Sequence, residues 1–418
     1  MSEVVQPVGF PERWRTAPLW TLFRRTSRKG HSAEPLLSVY RDFGVVPRGF
    51  TDDNWNRIPE DLSGYPLVRP GDLVLNKMKA WQGSLGVSTY RGIVSPAYFV
   101  FAPLRDDFSQ SFLHYLLRSR PFIESYGRMS GGIRVDQWDL DPWAFSRLRL
   151  PLPPLTEQRA IADYLDRETT KIDTLIEKQT TMITRLRERR ALVIERVTSP
   201  PDRPREQAPL QRGLLRVDQG FSPDTSAGTD DANVWVLKSG ASNHGIFRED
   251  ESKPIPSNTA IPRGIELRQG DLVVSRASGS PALVASAALV GHLDRRVVLS
   301  DKNFRLVPAK NASARYLYWV LNSPGVRSRI ILSISGAEGL ANNIPLSRLR
   351  RLLIPLPPLD EQREIADYLD RETAKIDTLI AKVERHIELA RERRAALITA
   401  AVTGQIDVTT STQSGDAA

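Results

Sequence analysis

The chain of 418 residues contains no cysteine, so it has neither disulfides nor thiolate metal sites to draw on. That absence fits a reducing cytoplasm, which is the expected location. No run of about 18 apolar residues occurs, which removes a helix that crosses a membrane. The opening "MSEVVQPVGFPERW" has no basic segment followed by an apolar one, so no secretory leader is expected. The five histidines (His31, His114, His244, His292 and His386) are scattered and lack metal-ligand spacing. There is no "NPPF"- or "DPPY"-like loop and no "GxxxxGKS" or "GxxxxGKT" phosphate loop. "DFG" at Asp42 stands without an "HRD" loop or a Gly-rich loop. The small-residue run around Ala277 has no base or nucleophile beside it in sequence. No site for catalysis, metal or cofactor is expected in this chain.

What is present begins with charge. The formal net charge is +9, and it is unevenly placed. Residues 1–150 carry 20 Lys and Arg against 15 Asp and Glu, and residues 201–354 carry 21 against 14. Residues 151–200 carry 9 against 8, and residues 355–418 carry 8 against 12. The positive field therefore lies on two separated segments, as a polyanion partner such as nucleic acid would require.

The second feature is a repeat. "PLPPLTEQRAIADYLDRETTKIDTLIEK" from Pro151 returns as "PLPPLDEQREIADYLDRETAKIDTLIAK" from Pro355, identical at 24 of 28 positions. The Pro-rich lead-in holds the chain extended. Thr156 and Asp360 then stand at the expected N-cap, with Glu157 and Glu361 in the first turn, where the helix dipole favours an acid. Apolar residues follow at 4/3 spacing: Ile161, Leu165, Ile172, Leu175, Met182, Leu186 and Val193 in the first copy. The second copy has Ile365, Leu369, Ile376, Leu379, Val383, Ala390 and Leu397. That spacing is a coiled-coil seam. "SPPDRP" ends the first rod near Ser199, and "AVTGQIDV" ends the second at a glycine suited to a left-handed cap. About 42 helical residues give a rod of roughly 60 Å.

The segments between rods share a frame but little detail. "VRPGDLVLNKMKAWQGS" aligns with "LRQGDLVVSRASGSPA", "FLHYLLRS" with "YLYWVLNS", and "SRLRLPLPP" with "SRLRRLLIPLPP". Short alternating strands with one or two helices make each an α+β module. The expected organisation is two α+β domains separated by two long antiparallel coiled-coil helices with pseudo-two-fold symmetry. The boundaries are 1–150 (first head), 151–199 (first rod), 200–354 (second head), 355–405 (second rod) and 406–418 (disordered tail). Antiparallel rods are expected because parallel packing needs a long return connection inside the second head.

Identity in the rods extends beyond the seam, to Glu157, Gln158, Arg159, Asp163, Arg167, Lys171 and Asp173. Their counterparts are Glu361, Gln362, Arg363, Asp367, Arg371, Lys375 and Asp377. A solvated face is free to drift, so this pattern is expected to be a docking face offered twice to one kind of partner. The heads diverge while staying basic, as two readers of different DNA sequences would. Candidate contacts are Asn76, Lys77, Lys79, Gln82, Arg128, Arg134 and Gln137 in the first head. In the second they are Ser275, Arg276, Ser278, Lys302, Asn303, Asn342 and Asn343.

The order of module, "LPPLxEQRxIADYLD" rod, module, matching rod and closing "AVTGQID" resembles the specificity (S) subunit of a type I restriction–modification system. The resemblance covers the whole chain; the rod motif is specific, the module match diffuse. One departure, "VTSP" ending the first rod against "VTGQ" in the second, suits an internal linker. The resemblance implies two target-recognition domains, each reading half of a bipartite double-stranded DNA site, with the rods setting the gap. It implies docking of two modification (M) subunits carrying adenine-N6 methyltransferase chemistry, joined by restriction (R) subunits with motor and nuclease. S-adenosylmethionine, ATP and Mg then belong to the partners, and this chain binds no cofactor and catalyses nothing itself. Two other readings are the specificity subunit of a bipartite-site enzyme with a fused nuclease–methylase partner, and a coiled-coil scaffold whose modules bind protein.

Overall fold

The computed structural model describes residues 9–50, 58–131, 138–226, 228, 232–334 and 342–408. Arg134, Gln137 and residues 409–418 of the expected tail lie outside them. The chain forms two compact units, Met1–Gln179 with Arg385–Ala418, and Thr180–Glu384. Each unit contains one head and part of both rods.

In the first unit, four antiparallel strands run in the order Phe23–Thr26, Tyr98–Pro103, Leu73–Asn76, Leu85–Val87. Helices Gln110–Leu117 and Arg120–Met129 bury Phe112, Leu116, Phe122 and Tyr126 in a core shared with Leu73, Leu75 and Phe101 of the sheet. In the second unit the order is Leu214–Gln219, Asn303–Pro308, Leu272–Ser275, Ala287–Leu289, again antiparallel. Helices Ala314–Leu321 and Pro324–Leu332 bury Tyr316, Val320, Val326 and Ile330 against Leu272, Val274 and Phe304. Both heads are α+β and share one strand order. The Gly-Asp turn that aligned them is the same object in each. Gly71 and Gly270 take φ of +90° and +89°, which a side chain would strain. Asp72 and Asp271 accept from the backbone N–H of Arg69 and Arg268 at 2.8 and 2.9 Å, closing both turns alike.

Beside this sheet both heads carry a hairpin that pairs in parallel with a further strand, through Leu36 and Ile93 in the first and Trp235–Val236 and Val297–Val298 in the second, with different lengths and sequences. The first adds a hairpin, Leu37–Tyr40 with Gly44–Pro47. The second adds a three-stranded sheet with Ser252–Pro254, Trp235–Leu237 and Val297–Val298, over its own small core.

Each rod is one continuous helix of 44 residues, Leu155–Thr198 and Leu359–Val402, about 66 Å at 1.5 Å per residue. Both begin one residue before the expected caps, so Thr156 and Asp360 lie inside the first turn. The rods run antiparallel within each unit. In the first, Ile161 and Leu165 share a core with Ile398 and Val402, and Arg394 Nε reaches Asp173 at 2.8 Å. In the second, Ile194 shares a core with Ile365 and Leu369, and Arg190 Nε reaches Asp377 at 2.9 Å.

The seam is not the expected heptad. Leu175, Met182 and Leu379 are 47%, 45% and 44% exposed, and Leu186, Val193, Val383, Ala390 and Leu397 are only half-buried. A ladder of buried isoleucines runs along each rod, Ile161, Ile172, Ile183 and Ile194 on the first and Ile365, Ile376, Ile387 and Ile398 on the second, with Leu165 and Leu369 of the expected seam buried beside it. Each isoleucine follows the last by eleven positions. Eleven residues fill three turns of 3.67, close to a straight helix, so an isoleucine returns to the same face without the winding a heptad imposes. The 4/3 pattern tracks this stripe through Ile172 and Ile376 and then drifts off it.

Part of the expected tail is packed. Val408 is buried and Ile406 half-buried against the first core. Among the described residues no helix is long and apolar enough to cross a membrane.

Candidate nucleic-acid interface

In each head the loop that leaves the third sheet strand is tied by one backbone bond to a short strand that precedes the closing helix. In the first head Leu140 N donates to Lys77 O at 3.0 Å. In the second, Ile344 N donates to Arg276 O at 3.0 Å. Lys77 and Arg276 are thus equivalent positions, each following a strand residue paired across the sheet, Asn76 with Tyr98 and Ser275 with Asn303. In the second head this brings together two sets of candidates from separate stretches of sequence, Arg276 and Ser278 with Asn342 and Asn343.

In the first head, Asn76 Oδ1 accepts from Met78 N at 3.2 Å, and Lys77 Nζ lies 3.1 Å from Asp139 Oδ2. Lys79 is exposed, Gln82 half-buried in the short turn that follows, and Arg128 exposed on the last turn of Arg120–Met129. Met78 projects between the two lysines, 42% exposed. Trp81 Nε1 donates to Met78 O at 3.1 Å, and its ring lies 5.2 Å from that of Trp138. The aromatic pair fixes the loop from beneath.

In the second head, Ala277–Ser278 pairs antiparallel with Asn342–Asn343, placing Ser278 opposite Asn342. Arg276 is half-buried; its N–H donates to Lys302 O at 2.7 Å, which gathers Lys302 into the same edge. Lys302 is exposed, with Nζ 2.9 Å from Asp301 Oδ2. Asn342 Nδ2 donates to Gly279 O at 3.2 Å.

Two chosen residues are corrected. Ser275 and Asn303 are both 0% exposed. Ser275 Oγ donates to Leu283 O at 2.7 Å, and Asn303 Oδ1 accepts from Ser300 Oγ at 2.7 Å. They brace the edge from inside, and neither side chain reaches a base. Met78, Trp81, Trp138 and Asp139 were missed. The available signal was an apolar residue set between two lysines in a polar loop, which a search restricted to hydrogen-bonding side chains passes over.

The repeated rod residues divide more sharply. Gln158 and Gln362 are 2% and 0% exposed and offer no outward face. Gln158 Oε1 accepts from Ser109 N at 2.8 Å while its Nε2 donates to Pro153 O at 2.8 Å. Gln362 Oε1 accepts from Ser313 N at 3.0 Å while its Nε2 donates to Pro357 O at 2.7 Å and Asn311 O at 3.0 Å. Each glutamine clamps the head to the base of its rod. Glu157 accepts from Arg13 and Trp14, and Glu361 from Arg205. Asp173 and Asp377 form the ion pairs between rods, and Asp367 lies 2.8 Å from Arg315 of the second head. Identity at these positions has an internal cause. Among the described residues, Lys171, Lys375 and Arg363 pair with acids on their own helices. Arg159, Asp163, Arg167, Arg363 and Arg371 are exposed, so the repeated surface left for a partner is narrower than expected.

Residues 214–389 match a family model described as the type I restriction modification DNA specificity domain. The chain is also similar to the EcoKI specificity subunit of Escherichia coli K12, 21% identical over 427 residues that cover 95% of this chain and 90% of the relative. Residues 214–389 thus carry the type I restriction modification DNA specificity domain, and the chain as a whole is similar to type I specificity subunits. Other type I specificity subunits give the same picture. The StySPI subunit of Salmonella potsdam is 20% identical over 424 residues, 95% of this chain and 90% of the relative. A chain from a type I R-M system solved to explain complex assembly and conformational transition has a TM-score of 0.71 at 17% identity, covering 96% of this chain and 100% of its own. The HsdS subunit of Thermoanaerobacter tengcongensis reaches 0.51 at 16% identity, covering 96% and 99%. The match to the DNA specificity domain falls on the second head and the rod that follows it.

Proposed function

We propose that this specificity subunit reads a bipartite double-stranded DNA site, one half with each head, and carries the enzymes that act on it. The supporting observation is the equivalent pair of bonds, Leu140 to Lys77 and Ile344 to Arg276. One frame presents Lys77-Met78-Lys79 in the first head and Arg276-Ala277-Ser278 in the second. A common frame with different side chains is what two readers of unlike half-sites need.

The chain is a non-catalytic scaffold in this reading. Two M subunits supply adenine-N6 methylation, R subunits supply motor and nuclease, and S-adenosylmethionine, ATP and Mg reside in them. Arg159, Asp163 and Arg167, with Arg363 and Arg371 on the second rod, are the remaining repeated positions for docking. Each head reads in the major groove, with half-sites spaced by about one helical turn, ~34 Å. The rods set that gap, so lengthening them widens it and leaves both half-sites unchanged. The assembly works in the cytoplasm.

The test uses the subunit assembled with its M partners. Charge reversal at Lys79 or Arg276 lowers DNA affinity and flattens its salt dependence by roughly one unit of log–log slope per lost phosphate contact. Unchanged binding in both variants contradicts DNA reading and favours a scaffold whose heads bind protein.

A further inference from the structure

Among the described residues, the first head's loop from Asn76 to Gln82 exposes one large apolar side chain, and the second head has none at the equivalent position. Met78 stands between Lys77 and Lys79, 42% exposed, where the second head has Ala277. The exposure is built into the loop. The backbone of Met78 is held on both sides, its N–H by Asn76 Oδ1 at 3.2 Å and its carbonyl by Trp81 Nε1 at 3.1 Å. Trp81 packs on Trp138, and Lys77 is drawn sideways to Asp139. A thioether on a braced loop does not fold back into the head. It is flexible in itself and suited to apolar surfaces of irregular shape.

The edge of a base pair in the major groove presents one apolar group, the 5-methyl of thymine. A half-site methylated at adenine contains at least one A·T pair and therefore a thymine. We infer that Met78 is a specificity-determining residue of the first head and packs its side chain against a thymine 5-methyl group in that half-site. This rests on the DNA-reading function proposed above. The flanking Lys77 and Lys79 supply charge for the phosphates without choosing a base. Ala277 is shorter than Met78 and does not reach as far from the same frame, so the contact is assigned to the first head.

The experiment is a double replacement on the assembled complex with M subunits, using a duplex that carries the mapped target. Each thymine of the first half-site is exchanged in turn for deoxyuridine, which lacks only the methyl group. At one position the exchange weakens binding about four-fold, the value of one buried methyl. Met78→Ala weakens binding to the unmodified duplex by a similar factor and abolishes the response to that exchange. Met78→Leu, still apolar, keeps it. Exchanges in the second half-site act identically on wild type and variants. If Met78→Ala remains as sensitive as wild type at every thymine, or no thymine of the first half-site responds, the inference is overturned while DNA reading stands. If the complex shows no preference for a bipartite site, DNA reading falls and takes the inference with it.

Discussion

Gln158 and Gln362 each satisfy a partly buried backbone N–H and at least one buried carbonyl with a single side chain. Replacing either by alanine leaves those groups unpaired in the interior, at about 1–3 kcal/mol. In urea denaturation, Gln158→Ala should shift the unfolding transition of the first unit and Gln362→Ala that of the second. A second test at this scale is titration. His114 lies against Gly44 and Gly86, with Nε2 at 2.8 Å from Arg118 Nη1. Packing of the ring away from water, and then the Arg118 guanidinium, pull its pKa from 6.5 to about 3. The unfolded chain therefore takes up this proton at a higher pH than the folded one. Stability from a neutral His114 is present in full above about 6.5 and is lost as pH falls towards about 3. Urea midpoints at pH 7 and pH 5 should show the loss, and His114→Gln should shrink the difference. Residues of this kind were the hardest to assign from sequence. Gln158 sits among charged neighbours on a helix, and only the extended lead-in folding back beside the head puts it inside.

At the scale of elements, the rods were legible as helices, as a pair and as antiparallel, because a strong period over forty residues leaves few alternatives. The period itself was misread. Ile161 and Ile172 belong equally to a heptad-like count and to the eleven-residue ladder, and the two separate only further along, where Leu175 and Met182 turn outward. Energetics distinguish them. Ile172→Ala removes a buried side chain and should cost about 2–5 kcal/mol, whereas Leu175→Ala on the exposed face should fall within about 0.5 kcal/mol. Equal costs in thermal or urea unfolding would restore the heptad. The heads were legible as α+β from the Gly-Asp turn and the helix that follows the sheet. Their outer strands were not, because the two hairpins, each set in parallel beside Ile93 or Val297–Val298, differ in sequence and in loop length. The described candidates on loops are exposed or half-buried. The choice failed at Ser275 and Asn303, whose polar side chains serve the turn beneath the edge.

At the scale of the molecule, duplication explains both what matches and what differs. Head-to-rod clamps and rod-to-rod ion pairs recur because each unit must build the same joint, and this accounts for much of the identity that first suggested a docking face. The edges differ because nothing in the joint constrains them. Exchange of residues 1–150 for the first head of a relative should therefore alter one half-site and leave the second and the gap as they were. The measurement that tests the account most directly is a map of N6-methyladenine across the genome with the gene intact, deleted, and carrying that exchange. The account predicts one bipartite motif, its disappearance on deletion, and a new first half joined to the old second half on exchange. Methylation that persists without the gene, or an exchange that changes both halves together, would contradict it.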